Sequence, residues 1–207
     1  MAHMKIVLAS NNAGKLAELQ TLFSPLDMTL VRQSELNIPE AAEPFKTFVE
    51  NALAKARHAA QLSGMPALAD DAGLCVDAFG GQPGVDTAYY ATRFGYPKGD
   101  DTNVTALLEQ MQGIANRRAA MVSTLVAVRS ADDPEPLIAV GRVVVQITPE
   151  RRGTNGFGFD PVMLLPEFGK TFAELPPEVK NAHSHRGHAA QAMLALMRER
   201  WLDSAAP

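Results

Sequence analysis

The sequence predicts an α/β fold made of one domain, with two lobes on a central mixed β-sheet. The chain opens with a strand, a helix and a second strand, because the apolar stretches 5–9 and 28–32 flank an amphipathic segment. Two longer apolar stretches, 119–128 and 137–147, have the length and β-branched content of strands and are separated by a turn. The length of 207 residues fits one domain with a substantial core.

Helices are expected after the first strand and again from about 47 to 62. The first follows the polar turn 10–15 and places its leucines on one stripe. In the second, Thr47 and Glu50 have the spacing of a capping box, and Gly64 is suited to the C-cap. The segment that precedes this second helix contains prolines and no periodic pattern, so it is expected to be irregular.

A turn is expected at Asp70-Asp71-Ala72-Gly73, between short strand ends at 67–70 and 74–76, because Asp and Gly favour turns. The remaining expected elements are a loop at 80–84, a helix at 102–111, a loop-rich region at 149–187 and a last helix at 188–201.

Composition and charge exclude several classes of protein. The formal net charge is −4, from 19 basic and 23 acidic residues, which disfavours binding to polymeric nucleic acid. No run of about 18 apolar residues occurs, so no membrane span is expected. Cys75 is the single cysteine, which excludes a disulfide framework and fits a cytoplasmic protein. Residues 1–3 resemble an expression-tag remnant, so the domain is expected to cover 4–204.

The polar turn after the first strand is a candidate phosphate site. Its members are Ser10, Asn11, Asn12, Ala13, Gly14 and Lys15. A helix N-terminus attracts anions because its N–H groups lack partners and the dipole is positive there, and Lys15 adds a charge. The turn is not a Walker A sequence, since Leu16 replaces the Ser or Thr that would hold Mg²⁺. The alternative is an ordinary strand-to-helix turn.

One face of the second helix carries Phe48, Asn51 and Lys55. The amide and the amine on that face could bind phosphate oxygens, while Phe48 anchors the core. A solvated polar face is the alternative.

Two adjacent carboxylates, Asp70 and Asp71, follow an apolar stretch. They are costly to bury unless they are paired or bind a metal, and Mg²⁺ takes carboxylate oxygens together with waters and phosphates. Glu40 and Glu43 lie upstream on the irregular segment and could complete such a site. An Asx-type turn is the alternative.

A nucleobase could be bound by two later segments. In 156–161, GFGFDP, glycines alternate with aromatic residues, so a phenylalanine face is offered for stacking on a base. In 183–188, arginine and histidine donors suit the acceptor edge of a base, whereas a zinc site has weak support there. Lys180 lies just before them. The alternatives are a turn with two core phenylalanines and a surface histidine before a helix.

The order of these segments resembles the Ham1/RdgB family of inosine triphosphate pyrophosphatases. The matching segments are LASNNAGK at 8–15, TFVENALAKA at 47–56, ALADDAGL at 67–74, GGQPG at 80–84, GFGFDP at 156–161, KTFAEL at 170–175 and SHRG at 184–187. The resemblance implies an elongated fold with an active cleft between two lobes, and a homodimer. It also implies a Mg²⁺-dependent, house-cleaning hydrolysis of ITP, dITP and XTP to the monophosphate and pyrophosphate.

The same resemblance implies a role for each matching residue. Asp71 would be the general base and a metal ligand, with Glu43 as the second, upstream metal ligand. Ser10, Asn12 and Lys15 would hold the triphosphate, assisted by Lys55. The implied base-binding residues are Phe157, which would stack, and Asp160, Lys180, His185 and Arg186, which would read the base edge. The other implied contacts are Asn11, Ala13, Gly14, Ala72, Gly158 and Phe159.

Two positions depart from the family pattern. Ala72 stands where the family has Ser, and Tyr89 stands where it has Arg, with Arg93 as a candidate substitute. Two other functions stay open: a pyrophosphatase for canonical or modified pyrimidine triphosphates on the same kind of fold, and a nucleotide sensor that has lost catalysis through Ala72 and Tyr89. Retention of the Asp70-Asp71 pair argues against the sensor, because a sensor needs no base.

Overall fold

A computed structural model of the protein describes residues 4–26 and 28–202. The strands are β1 (Met4–Leu8), β2 (Met28–Arg32), β3 (Ala67–Val76), β4 (Arg118–Val128), β5 (Leu137–Ile147), β6 (Met163–Leu165) and β7 (Lys170–Thr171). The α-helices are α1 (Ala13–Phe23), α2 (Phe48–Ser63), α3 (Asp100–Gln110), α4 (Pro177–His183) and α5 (His185–Met197). The longest 3₁₀ segment is Gly84–Phe94, and α5 continues into a π-helical turn at Arg198–Leu202.

The strands form one mixed sheet in the order β2-β1-β3-β4-β5-β6-β7. β1 is parallel to β2 and to β3, whereas β5, β6 and β7 pair antiparallel. β4 is buried along nearly its whole length, and β5 alternates buried and exposed residues. These patterns are those of a strand covered on both faces and a strand with one solvated face. The predicted α/β class with a mixed sheet is confirmed.

The chain divides into two compact units, each with its own core. The first unit comprises the residues up to Asp71, Ser123–Gly141 and the residues from Arg186 onward. The second unit comprises Ala72–Val122 and Arg142–His185. The chain thus passes from the first unit to the second within β3, directly after Asp71.

Apolar stripes on the helices build these cores. In the first unit, Leu16 and Leu19 of α1 pack in one cluster with Ile6 of β1 and Met193 of α5. A second cluster there joins alanines of α2 to β1, β3 and β4, so small residues let this helix lie close to the sheet. In the second unit, α3 packs its apolar residues in a cluster that includes β5 and the segment around Phe172.

The prediction of a turn at 70–73 is wrong, because β3 runs without interruption from Ala67 to Val76. Turn propensity is a local preference, and here the charges of Asp70 and Asp71 are paired with basic side chains from elsewhere in the chain. Compensation of the buried charges, together with parallel pairing to β1, keeps the segment extended.

Helix boundaries agree with the sequence more closely at α2 than at α5. α2 begins after Thr47, whose hydroxyl accepts a hydrogen bond from the Glu50 N–H at 3.3 Å, and ends at Gly64 in the left-handed region (φ 68°). The Glu50 carboxylate accepts a hydrogen bond from the Thr47 hydroxyl. In a standard capping box it would instead accept one from the Thr47 backbone N–H. α5 begins at His185, three residues before the expected start.

The region 149–187 holds more structure than its composition suggests, since β6, β7 and α4 lie within it. The predicted tag remnant at 1–3 and the predicted domain end at 204 lie outside the described residues. Within 4–26 and 28–202, no helix has the length and the apolar character needed to cross a membrane.

Candidate active site

The polar turn 10–15 is shaped by its own side chains. The Asn12 side-chain oxygen accepts a hydrogen bond from the Lys15 N–H at 2.9 Å, which makes Asn12 the N-cap of α1. The Ser10 hydroxyl accepts from the Asn12 N–H at 3.2 Å. These bonds hold the helix N-terminus in place, and the side chain of Lys15 reaches β3 from there.

Lys15 binds Asp70. Its Nζ lies 3.2 Å from the Asp70 carboxylate and 3.4 Å from the Asp70 carbonyl oxygen. Burial lowers the pKa of Lys15, and the negative charge of Asp70 only partly offsets this effect. An amine with a lowered pKa next to a buried carboxylate is a feature of functional sites more often than of surface ion pairs.

Asp70 has more polar partners than the neighbouring carboxylate Asp71. Its side chain is fully buried and contacts Lys15 and two nitrogens of Arg186, each of the latter at 3.0 Å. The Ser123 hydroxyl donates to it at 2.7 Å. Burial by itself would raise the pKa of Asp70, but Lys15, Arg186 and the Ser123 hydrogen bond hold it well below the usual range. Asp70 is therefore a permanently ionised anchor.

Asp71 has the opposite electrostatic character. One oxygen, Oδ1, lies 3.1 Å from Lys55 Nζ, while Oδ2 is buried and has no hydrogen-bond partner among the described residues. Burial raises the pKa of Asp71, and Lys55 and Lys15 do not fully reverse the effect. Two neighbouring carboxyls whose pKa values shift in opposite directions are suited to different tasks, and Asp71 is the one suited to accept a proton.

Lys55, on α2, joins the acidic groups. Its Nζ lies 3.0 Å from Glu43 Oε2, 3.1 Å from Asp71 Oδ1 and 3.0 Å from the Asp70 carbonyl oxygen. Burial lowers the pKa of Lys55, but the charges of Asp71 and Glu43 outweigh it, so the net shift is upward. Lys55 is thus a fixed positive charge between two carboxylates.

Of the two upstream glutamates, the structure brings Glu43 to this cluster. Glu40 accepts a hydrogen bond from the Asn11 side chain at 3.1 Å instead. The unpartnered Asp71 Oδ2 and the half-exposed Glu43 carboxylate are oxygen donors of the kind that Mg²⁺ uses. Within the described ranges, no group of three or more His, Cys, Asp or Glu residues is placed to hold an ion. The donor set nevertheless fits Mg²⁺, which typically takes one or two carboxylates and completes its shell with water and substrate phosphates.

Asn51 does not face a phosphate site, and it is not part of a solvated face. It is 1% exposed, and its side chain bonds the backbone N–H and carbonyl of Phe45. Both interpretations of this position from the sequence are therefore wrong, because the amide is used to hold the chain upstream of α2. Lys55, on the same face, is the residue that meets the predicted site.

In the second unit, Asp160 and Lys180 organise the GFGF loop. Asp160 Oδ2 accepts from the Phe157 N–H at 2.9 Å and pairs with Lys180 Nζ, which lies 4.8 Å from the Phe157 ring centroid. Asp160 and Lys180 are each only 4% exposed. Gly156 (φ 77°) is required there, since a Cβ would lie 1.9 Å from Asp160 Oδ2. Phe157 is half-buried and its orientation is determined by this pair.

The two other predicted contacts of this loop differ from each other. The Gly158 N–H donates to the Asp100 carboxylate at 3.0 Å, which ties the loop to the start of α3. Phe159 is 4% exposed and belongs to the core of the second unit. For Phe159, the structure thus agrees with the alternative of a core phenylalanine.

The SHRG segment begins α5 and is buried. Ser184, His185 and Arg186 are 1%, 3% and 3% exposed, so the alternative of a surface histidine before a helix is wrong for His185. The His185 ring lies against Phe172, with centroids 6.2 Å apart. Arg186 contacts Asp70 and, through Nη1, the carboxylate of Glu18 at 2.5 Å.

Glu18 is a residue that the sequence patterns do not single out. It lies on α1 three positions after Lys15, so the two side chains share a helix face. This three-residue spacing from Lys15 is the sequence signal that could have indicated Glu18 as a member of the site. Its partner Arg186 is 168 positions away in the sequence, and no local pattern connects them.

Comparisons with known proteins show the family of this chain. A model described as the Ham1 family matches residues 6–196. The chain belongs to the Ham1 family. It is 79% identical over 198 residues to a protein of Paracidovorax citrulli named dITP/XTP pyrophosphatase, covering 96% of this chain and 100% of that protein. A protein of the same name from Leptothrix cholodnii is 54% identical over 209 residues, covering 96% and 99%.

Solved structures of the Ham1 family share this fold. A HAM1 protein from Coxiella burnetii superposes with a TM-score of 0.86 at 41% identity, covering 95% of this chain and 99% of that chain. The Ham1 protein of Staphylococcus aureus gives a TM-score of 0.82 at 35% identity, with coverages of 94% and 98%.

The two departures of this Ham1-family chain lie in the second unit. Ala72 is half-buried within β3. Tyr89 is 54% exposed, and Lys98 Nζ lies 4.0 Å from its ring centroid. Arg93, the candidate substitute for the family arginine, pairs with Asp86 and bonds Gln82 at 2.8 Å. The structure thus gives Arg93 a local role in holding the 3₁₀ segment.

Proposed function

We propose that this chain hydrolyses non-canonical purine nucleoside triphosphates, ITP, dITP and XTP, to the monophosphate and pyrophosphate. The relatives of 79%, 77% and 75% identity are named dITP/XTP pyrophosphatases. The observation that carries the proposal is the buried pair Asp70-Asp71, in which one carboxylate is fully engaged and the other has an unpartnered oxygen beside Lys55. A nucleotide sensor has no use for such a base.

The triphosphate is bound by the polar turn 10–15 and by the two lysines. The N-terminus of α1 offers N–H groups at the positive end of its dipole, and Asn12 and Ser10 keep that terminus in shape. Lys15 and Lys55 supply positive charge where negative charge develops on the leaving pyrophosphate. Backbone N–H groups of Asn11, Ala13, Gly14 and Ala72 add donors.

Asp71 orients and deprotonates the water that attacks the α-phosphorus. Its pKa is raised by burial, so the carboxylate is a stronger base than an exposed aspartate. Asp70 holds Lys15 and Arg186 in position, and its own low pKa keeps it ionised during the reaction. The water oxygen forms a bond to the α-phosphorus and its proton passes to Asp71. The bond from the α-phosphorus to the oxygen bridging the α- and β-phosphates breaks, and that oxygen leaves with the pyrophosphate beside the lysines.

Glu43 and Asp71 would hold Mg²⁺, and the unpartnered Asp71 Oδ2 and the half-exposed Glu43 carboxylate support this assignment. When bound, Mg²⁺ neutralises phosphate charge and lowers the pKa of a coordinated water. Lys55 Nζ contacts both carboxylates, at 3.0 Å from Glu43 and 3.1 Å from Asp71, and so brings the two candidate ligands together.

The residues that the family resemblance implies for the base are Phe157, Asp160, Lys180, His185 and Arg186. Phe157 stacks on the purine, with Asp160 and Lys180 holding its loop and meeting the base edge. His185 and Arg186 would meet the 6-keto oxygen of the base, which accepts a hydrogen bond, whereas the 6-amino group of adenine is itself a donor and would face them less favourably. The homodimer and the cytoplasmic location follow from the family resemblance and the single cysteine, and they belong to the same proposal.

A panel of nucleoside triphosphates tests this function. The protein is incubated with ITP, dITP, XTP, ATP, GTP, CTP and UTP with and without Mg²⁺, and pyrophosphate is measured. We expect pyrophosphate from ITP, dITP and XTP, only with Mg²⁺, and much less from ATP, whose 6-amino group replaces the 6-keto oxygen. Preference for CTP or UTP would support the pyrimidine alternative, and nucleotide binding without pyrophosphate release would support the sensor. Release of orthophosphate would contradict attack at the α-phosphorus.

A further inference from the structure

The chain upstream of α2 is clamped to that helix by Asn51. Asn51 Oδ1 accepts from the Phe45 N–H at 3.0 Å, and Asn51 Nδ2 donates to the Phe45 carbonyl at 3.2 Å. A single side chain thus replaces the two hydrogen bonds that a neighbouring strand would make. At 1% exposure this bidentate pair is shielded from water.

The clamp lies close in sequence to residues of the acidic cluster, which we define as Glu43, Asp70 and Asp71 with Lys55. This holds both on α2 and on the irregular segment before it. Phe45 follows Glu43 by two residues, and Lys55 follows Asn51 by one helical turn. Glu43 Oε2 and Lys55 Nζ are 3.0 Å apart. Asn51, Phe45, Glu43 and Lys55 therefore form a closed loop of contacts between α2 and the irregular segment.

The Glu43 carboxylate needs such a restraint. Its side chain is 47% exposed, and an ion pair with that much solvent access is a weak tether by itself. His58, one turn beyond Lys55, adds a second attachment of the same segment, with Nε2 3.0 Å from the Pro39 carbonyl oxygen. Of the two attachments through the backbone of this segment, the buried Asn51 clamp at Phe45 is nearer to Glu43 along the chain than the His58 contact at Pro39.

We propose that Asn51 is a positioning residue for the metal ligand Glu43. It acts by fixing the backbone of the Glu43–Phe45 segment, so that the carboxylate faces Asp71 rather than solvent. This inference rests on the proposed function, because it assumes that Glu43 binds Mg²⁺. Residues that orient metal ligands commonly change metal affinity by about 10–100-fold when they are removed.

The second unit contains a matched control. Asn103, on α3, is 3% exposed, accepts from the Ala91 N–H at 2.8 Å and donates to the Ala88 carbonyl at 3.2 Å. This clamp has the same chemistry and burial as that of Asn51. It holds the 3₁₀ segment Gly84–Phe94, which carries no residue of the acidic cluster.

The test compares Asn51→Ala with Asn103→Ala in the full chain. Binding of Mn²⁺ alone is measured by electron paramagnetic resonance, together with the Mg²⁺ dependence of ITP hydrolysis and the Tm. We expect Asn51→Ala to weaken Mn²⁺ binding and raise the Mg²⁺ requirement by about tenfold. We expect Asn103→Ala to lower the Tm by a similar amount and leave both metal readouts within twofold.

A double mutant separates positioning from a general structural effect. In a Glu43→Gln background, Asn51→Ala should cause no further loss of Mn²⁺ affinity, because the ligand it positions is gone. Asn51→Ser serves in place of the alanine variant if the latter does not fold. Unchanged Mn²⁺ affinity in the Asn51 variants, or an equal loss in Asn103→Ala, would overturn the inference while leaving ITP hydrolysis by the parent chain intact. A parent chain that neither binds Mn²⁺ nor needs Mg²⁺ would overturn the inference together with the metal role in the proposed function.

Discussion

Two regions of the molecule bury a lysine against an aspartate: the polar cluster of the first unit (Lys15, Lys55, Asp70, Asp71 and Arg186) and the aromatic loop 156–161 of the second. The two pairs differ in the groups that surround them. Lys180 and Asp160 are 5% and 6% exposed in their side chains, and Asp160 Oδ2 also receives the Phe157 N–H. Lys15 and Asp70 belong to a larger set of charges, next to which Asp71 keeps an oxygen without a partner.

The difference separates a structural ion pair from a reactive one. The Asp160–Lys180 pair is bound to the loop that carries Phe157, and we propose that it orients the Phe157 ring. In the polar cluster, positive charges concentrate on Asp70, so Asp71 experiences burial without full compensation and its pKa rises while that of Asp70 falls. A carboxylate that is buried and incompletely paired is poised for chemistry, whereas one that is fully paired is an anchor.

The largest expected effect is on turnover in Asp71→Asn. We expect kcat for ITP to fall by about 10²–10⁴-fold, because the general base is lost. Substrate affinity, measured by isothermal titration calorimetry without Mg²⁺, should change little, since the lysines remain. Asp77→Asn, at an exposed pair with Arg118, is the control and should retain full kcat. Wild-type-like turnover in Asp71→Asn would refute the assignment of the base.

Asp70→Asn should act on stability instead. It removes the negative charge that compensates Lys15 and Arg186, and breaking a buried ion pair costs about 3–5 kcal/mol. Urea denaturation measures the loss in free energy of unfolding. Asp86→Asn, at the exposed pair with Arg93, should cost less than about 1 kcal/mol. An equal loss in free energy of unfolding for Asp70→Asn and Asp86→Asn would contradict the inference that Asp70 stabilises the fold more than an exposed ion pair does.

Lys180→Met tests whether the second unit acts through Phe157. The variant keeps the length of the side chain but leaves Asp160 without its buried cation, so the loop loses its restraint. We expect KM for ITP to rise by about tenfold with kcat nearly unchanged, as for a loss of uniform binding. Lys98→Met is the matched control, because Lys98 also lies over an aromatic ring, that of Tyr89, but at the surface. A fall in kcat without a change in KM would contradict a role in base binding.

The smallest expected effects are on pH dependence, and the two aspartates should differ in sign. The folded pKa of Asp70 lies below its unfolded value, so its stabilisation is fully present at neutral pH and is lost as the pH falls below about 4. The folded pKa of Asp71 is raised, so its ionisation opposes folding above that range. The stability difference between the parent chain and Asp70→Asn should therefore shrink on acidification. For Asp71, measured without Mg²⁺, the parent chain should lose stability relative to Asp71→Asn as the pH rises above about 4, and a difference that does not depend on pH would contradict the raised pKa.

Local patterns determined much of this protein. Hydrophobic runs and periodicity predict β1, β2, β4 and β5, and the Thr47 and Gly64 signals bound α2 to within a residue, because these preferences act over a few neighbouring positions. The order of the motifs identifies the Ham1 family, and the position of Asp71 within it supplies the candidate base.

Tertiary structure alone decided how the site is assembled. The extended course of β3 through Asp70 and Asp71 depends on Lys15, Lys55 and Arg186, which lie up to 116 positions away and outweigh local turn propensity. The choice of Glu43 over Glu40, and the buried Asn51 clamp, likewise depend on where α2 packs. The residue type determines which interactions a side chain can make. The pKa and the partners of that side chain depend on its surroundings, and those surroundings form only when the sheet is assembled.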